Sequence, residues 1–149
     1  MTQSEFEAIL NDTTKTVFGD IYWREDEDHS IAVEFMMDVI TTSGDPLRVY
    51  GSYRAEISRL SYVLLHSGSG RIYALDLGQD HRNPDQQLVG EKHKHRWTEA
   101  HQDKEAYVPE DITAPATDPI AVWQQFCTEA NITHSGRMHQ PPAVQFSLL

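Results

Sequence analysis

Four of the chain's eight histidines fall within residues 71–107: His81, His93, His95 and His101. Imidazole ionises close to neutral pH, so a pair of rings can accept and donate a proton, and the neutral ring is a common metal ligand. His93 and His95 are separated by one residue. If residues 91–99 form a strand, the period of two puts Glu91, His93, His95 and Trp97 on one face and Lys92, Lys94, Arg96 and Thr98 on the other. The two imidazoles then lie roughly 7 Å apart at the backbone, near enough to share a metal ion, a phosphate or a proton-transfer route. The opposite face carries three positive charges. His81 ends the preceding extended run and reaches the same place if the two strands are neighbours. A His-x-His pair alone is a weak signal, because histidines on a half-exposed strand often do no more than hydrogen-bond.

The elements that must position these residues follow from alternation and turn chemistry. Residues 71–77 place Ile72, Ala74 and Asp76 on one face and Tyr73, Leu75 and Leu77 on the other, and Gly78 ends the run. Asn83-Pro84-Asp85 is a turn sequence. Upstream, residues 16–24 and 30–42 read as an antiparallel hairpin closed by the acidic stretch 25–29, taken as a solvated tip. Residues 47–53 form a third strand, residues 54–59 are ambiguous between strand and turn, and residues 61–66 are a compact apolar strand. Ser4 caps a short helix over residues 1–13, with Phe6, Ile9 and Leu10 as its apolar stripe. Asp118 and Pro119 open a second helix over 118–131, on whose apolar face Cys127 packs. The tail, 134–149, is polar and then apolar, either a loose extension or a segment that docks on a partner. Together these predict a single α+β domain, 1–149, in which about six strands form a bent antiparallel sheet over residues 16–107, flanked by an N-terminal and a C-terminal helix.

One cysteine excludes an intrachain disulfide framework and a four-cysteine zinc site. No run of 18 or more apolar residues and no basic-then-apolar leader is present, so a cytoplasmic protein without membrane contact is expected. The net charge is −11, which argues against broad binding to nucleic acid or anionic membranes. Residues 71–104 hold six basic and six acidic residues and are neutral, so the whole excess lies elsewhere. The histidine stretch is therefore where an anion such as phosphate is best tolerated.

The run Arg71-x-x-x-x-Asp76-x-Gly78, then His81-x-Asn83-Pro84-Asp85, His93-x-His95 and Ala106-Tyr107-x-Pro109, with Tyr53-x-x-Glu56-x-x-Arg59 upstream, resembles an uncharacterised bacterial and phage family over residues 45–112. The chain departs from that pattern at Gln86, where glycine is usual, at Trp97 in place of tyrosine, and at Glu105 in place of tryptophan. The arrangement is more distantly similar to small toxins of the TumE kind, which implies a ribonuclease-like activity and an antitoxin partner.

Three function classes follow. The first is a toxin-like enzyme that cleaves a phosphodiester in RNA or a nucleotide. In it His93 and His95 act as acid and base with His81 in support, and Arg59, Lys94, Arg71 and Asn83 meet the substrate. The second is a non-enzymatic acidic inhibitor from a phage or mobile element, a nucleic-acid mimic of the anti-CRISPR type that binds a basic host defence protein. The third is a metal module in which His81, His93 and His95, with Asp76 or Asp80, hold zinc or another transition ion.

Overall fold

The computed structural model describes residues 1–25 and 31–142. Helix α1 (Gln3–Asn11) leads into strands β1 (Thr16–Phe18), β2 (Arg24–Glu25), β3 (Val33–Val39) and β4 (Leu47–Arg54). A 3-10 turn (Ala55–Ile57) follows, then β5 (Arg59–His66), β6 (Gly70–Leu77), β7 (Lys92–Arg96) and β8 (Ala106–Tyr107). Helix α2 (Pro119–Ala130) and β9 (Thr133–Ser135) come last. Strands β2 to β8 pair antiparallel in chain order as one seven-stranded sheet, and β1 and β9 form a separate parallel pair. This is the expected α+β architecture with a helix from each end of the chain.

Alternation decides which face is the core. Leu47, Val49 and Tyr53 on β4, Leu60, Tyr62 and Leu64 on β5, and Tyr73, Leu75 and Leu77 on β6 are all buried on one side. Helix α2 lies against it, with the Tyr62 hydroxyl donating to the Pro119 carbonyl at 2.7 Å and the Trp123 ring centred 5.2 Å from that of Tyr62. Asp118 caps α2 by accepting from the Ala121 amide at 3.2 Å, which satisfies one of the helix's orphan donors. Phe6 of α1 packs against Trp97, ring centroids 6.2 Å apart. Gly51 sits in register with Phe35, whose ring fills the space a side chain would take: a Cβ there would stand 2.2 Å from the ring.

Local expectations are corrected at the ends of elements. Residues 16–24 are two short strands rather than one, because Gly19 turns the chain at a φ of +101°. That turn sends β1 to pair with β9, and only Arg24 and Glu25 pair with β3. The cap of α1 is Thr2, two residues before Ser4, and its hydroxyl accepts from the Glu5 amide at 3.1 Å. The ambiguous stretch 54–59 resolves into the 3-10 turn, a left-handed Ser58 and the start of β5. The tail does not begin loosely: β9 pairs with β1, and Met138 is buried. Apart from Glu25, the acidic tip and residues 144–149 lie outside the described residues. No helix among the described residues is long and apolar enough to cross a membrane.

Candidate functional site

β6 and β7 are neighbours, with Asp76 opposite His93 and Ala74 opposite His95. Because side chains alternate, Asp76, His93 and His95 emerge together on the sheet face turned away from α2. The loop that leaves β6 at Gly78 brings His81 back over them. Ring centroids lie 5.5 Å apart for His81 and His93, 4.5 Å for His81 and His95, and 4.9 Å for His93 and His95. One ring nitrogen from each of the three lies within 4.8 Å of the others. His93 and His95 are each only 2 % exposed, while His81 is half-buried.

The second nitrogen of each ring is fixed by the backbone. His93 Nδ1 donates to the Gly90 carbonyl at 2.9 Å, His95 Nδ1 to the Asp103 carbonyl at 2.7 Å, and His81 Nε2 to the Lys104 carbonyl at 2.7 Å. A carbonyl only accepts, so each of those nitrogens must carry a proton, and the neutral ring keeps its lone pair on the other one. For His93 and His95 that other nitrogen is Nε2, and it faces Asp76 Oδ2 at 3.2 and 3.4 Å. Ser61 Oγ, across the ladder on β5, donates to Asp76 Oδ1 at 2.6 Å. Burial works against the Asp76 charge, but the hydrogen bonds it accepts from His93 and His95, made when Nε2 of those rings takes up a second proton, and from Ser61 outweigh it and hold the carboxyl well below the usual range. Burial likewise opposes a charge on His93, and Asp76 with the Gly90 carbonyl reverses this and raises its pKa.

The surrounding residues hold the loops in place. Asn83 donates to the Ala106 carbonyl at 2.9 Å and accepts from the Ala106 amide at 2.8 Å, so it pins the turn to β8 and is not free to meet a substrate. Arg71 is anchored by Asp103, Nε to Oδ2 at 3.0 Å, and its Nη1 stands 3.8 Å from Asp76 Oδ2. Arg59 lies in the chain two residues before Ser61, and its buried Nε has no hydrogen-bond partner among the described residues. Gly78 adopts a φ of +86°, and a Cβ there would meet the Ser58 carbonyl at 2.4 Å, so only glycine lets the loop start this close to β5. Gln86, at the position where glycine is usual, adopts a φ of 71°.

The cationic face of β7 is corrected by burial. Lys94 is fully buried and points into the core side of the sheet, where it pairs with Asp111 at 2.6 Å and with Glu129. Lys92 Nζ donates to the Ile112 carbonyl at 2.9 Å. Lys94 therefore stands apart from the histidines and does not join them in meeting a substrate. His101 is also separate, half-exposed and 3.7 Å from Glu105. Sequence reasoning missed Ser61 and Asp103. Ser61 shares its strand face with Arg59, but its place beside Asp76 depends on a register shift between Leu64 and Leu65 that no local pattern announces. Asp103 meets His95 through its backbone carbonyl, which any residue type would supply, while its carboxylate holds Arg71 from 32 residues away.

No curated protein and no solved structure matches the chain. A family model does, over residues 1–132, and its description assigns no activity. The chain that folds Asp76, His81, His93 and His95 into one cluster belongs to DUF6978, a family of unknown function.

Proposed function

We propose that this chain is a toxin-like enzyme that cleaves a phosphodiester in RNA or a nucleotide, working at the cluster of Asp76, His81, His93 and His95. The observation that carries the reading is the convergence of three imidazoles, two of them facing the half-buried Asp76 carboxylate, each ring oriented by a backbone carbonyl. Such preorganisation serves chemistry, since groups held in place need no rearrangement at the moment of reaction. Arg59 supports an anionic substrate, because its unpartnered Nε is a donor in want of an acceptor. The acidic body, at −11, disfavours casual contact with nucleic acid and suits an activity held in check by an antitoxin in the cytoplasm.

The inhibitor reading requires free carboxylates in rows. On the outer face of the sheet Glu34 accepts from Tyr50 at 2.7 Å and Asp38 pairs with Arg48 at 3.2 Å, and at the turn after β4 Glu56 pairs with Arg54 at 3.3 Å. These carboxylates are engaged within the chain, which makes that face a poor mimic of a phosphate backbone.

The test is growth and total RNA in cells expressing the wild type beside His81→Ala and the double variant His93→Ala/His95→Ala, with folding checked by circular dichroism. Wild type should arrest growth and fragment RNA, and folded His81→Ala should do neither. If wild type leaves both growth and RNA unchanged, the toxin reading falls.

A further inference from the structure

Every ring in the cluster has spent its one neutral-state proton on a backbone carbonyl. What remains is one lone pair on each of three rings, rings that bring a nitrogen apiece within 4.8 Å of one another, with the Asp76 carboxylate beside two of them. Lone pairs do not attract lone pairs. The group is a surplus of acceptors, and a surplus of buried acceptors calls for protons or a cation to bind them. A histidine that donates one ring N–H to a carbonyl while the other nitrogen faces inward is also the arrangement that orients metal-bound imidazole and raises its basicity. Here the arrangement occurs three times around one point.

We propose that His81, His93, His95 and Asp76 bind a single divalent transition-metal ion, with zinc the best fit to the donor set. The proposal rests on reading this cluster as the working site and names that site's cofactor. Zinc–nitrogen and zinc–oxygen bonds of about 2.0–2.1 Å put neighbouring ligands of a tetrahedral shell about 3.3 Å apart. His93 Nε2 and His95 Nε2 already stand 3.2 and 3.4 Å from Asp76 Oδ2. His81 must close part of the remaining gap, and it is the member on a loop, whereas the other three sit on paired strands. Three imidazoles are borderline donors and outnumber the one hard carboxylate, a set matched to zinc and its first-row neighbours and poorly matched to calcium or magnesium, which prefer all-oxygen shells. Arg71 is a fixed cation beside the group; its Nη1 is 3.8 Å from Asp76 Oδ2, its Nη2 3.5 Å from His95 Nδ1, and its Nε is committed to Asp103 at 3.0 Å. Four protein ligands close a tetrahedral shell, so the ion would hold the loop and strands together and would supply a Lewis acid to substrate only by expanding to a fifth ligand. His93 and His95 are then its ligands rather than the acid and base.

The full chain, stripped of metal with a chelator, is titrated with zinc by calorimetry and with cobalt(II) by visible absorption. The same titrations are run on His81→Gln, whose half-exposed loop position spares the fold, and on His95→Gln. Wild type should bind one ion tightly, cobalt should give the intense bands of a four-coordinate site, and each variant should bind at least about 100-fold more weakly, since even loss of an outer-shell partner costs about 10–100-fold. RNA cleavage by the stripped and reloaded wild type is measured alongside. One zinc bound and lost in folded His81→Gln, with no cleavage, sustains the metal site and removes the phosphodiesterase reading. Cleavage by the stripped enzyme without zinc binding overturns the metal site and leaves the histidines as acid and base. Zinc binding unchanged in both variants places the ion elsewhere in the chain and also overturns the proposal.

Discussion

Strand β7 separates two buried polar clusters built from adjacent residues and opposite in kind. On the core side, Lys94 brings its own permanent charge to Asp111 at 2.6 Å and to Glu129. The Tyr107 hydroxyl donates to Glu129 at 3.0 Å, and the Lys94 ammonium lies 5.4 Å over the Tyr73 ring. On the outer side, Asp76 meets His93 and His95 at 3.2 and 3.4 Å, with His81 close by. The Lys94 cluster is closed: its cation is covalently part of the chain. The histidine cluster is open, because imidazole carries a charge only when something from solution, a proton or an ion, supplies it. A closed cluster serves the fold, and an open one can serve function.

The largest effect should come from breaking the closed cluster. Lys94→Met leaves Asp111 and Glu129 facing each other beside a buried apolar chain, and since these carboxylates keep 36 % and 29 % of their side-chain surface in water the loss should be about 2–3 kcal/mol, below the about 3–5 kcal/mol of a fully buried pair. Urea denaturation should show a loss of that size, while the fraction that stays folded still binds one zinc. A loss under about 1 kcal/mol would mean that water reaches the pair and that the core side is not closed. The same cut on the open side should be milder. Asp76→Asn keeps a polar group for Ser61 and leaves every ring its backbone partner, so we expect a loss of about 1–3 kcal/mol in the metal-free chain. Zinc should stabilise wild type and not this variant, and equal stabilisation of both would remove Asp76 from the ligand set.

Acid separates the two sides further. Burial opposes the Glu129 charge, but hydrogen bonds from Asp111 and Lys94 outweigh it and bring this carboxyl down to about 2. Asp111 shifts the other way, raised by burial and by Glu129. A depressed carboxyl stabilises the fold above its unfolded value, near 4.5, and that contribution is lost as pH falls toward about 2. Thermal melts between those limits should therefore fall steeply in wild type and less steeply in Glu129→Gln. Parallel slopes would show that the acid limb belongs to other carboxylates.

The comparison also explains what the sequence could and could not disclose. The period of two correctly separated His93 and His95 from Lys94, and in β6 it set Tyr73, Leu75 and Leu77 on one face and Asp76 on the other. It could not say that Lys94 is buried, because its partners come from the loop at Asp111 and from α2 at Glu129, far along the chain. Lys92, Lys94 and Arg96 read as one cationic face, and Lys94 as a substrate contact, for that reason. His81 was legible as a partner only on condition that β6 and β7 pair, which they do. The carbonyls of Gly90, Asp103 and Lys104 that set the ring tautomers were illegible, since a backbone acceptor leaves no mark on residue type. β1 misled because its partner, β9, lies more than a hundred residues away and is only three residues long.

The smallest effect concerns the loop that makes the open cluster adjustable. Gln86 holds a φ of 71° in a turn where its amide donates to the Asn83 carbonyl at 2.8 Å. A residue with a Cβ pays about 1–2 kcal/mol for a left-handed conformation. Glycine relieves that strain, though it offsets part of the gain because the unfolded chain becomes more flexible. Gln86→Gly should thus stabilise the turn by about 0.5–1 kcal/mol, without moving the global melt measurably. The local reporter is the Val89 amide, which donates to the His81 carbonyl at 2.9 Å. Its hydrogen exchange should slow by about two- to fivefold, the factor that this energy corresponds to. If His81 closes onto an ion held by the three strand residues, zinc should bind tighter by a similar factor, because less ordering of the loop remains to be done. Slower exchange with unchanged zinc affinity would show that the loop is already set before the ion arrives, and would make the open cluster as rigid as its closed neighbour.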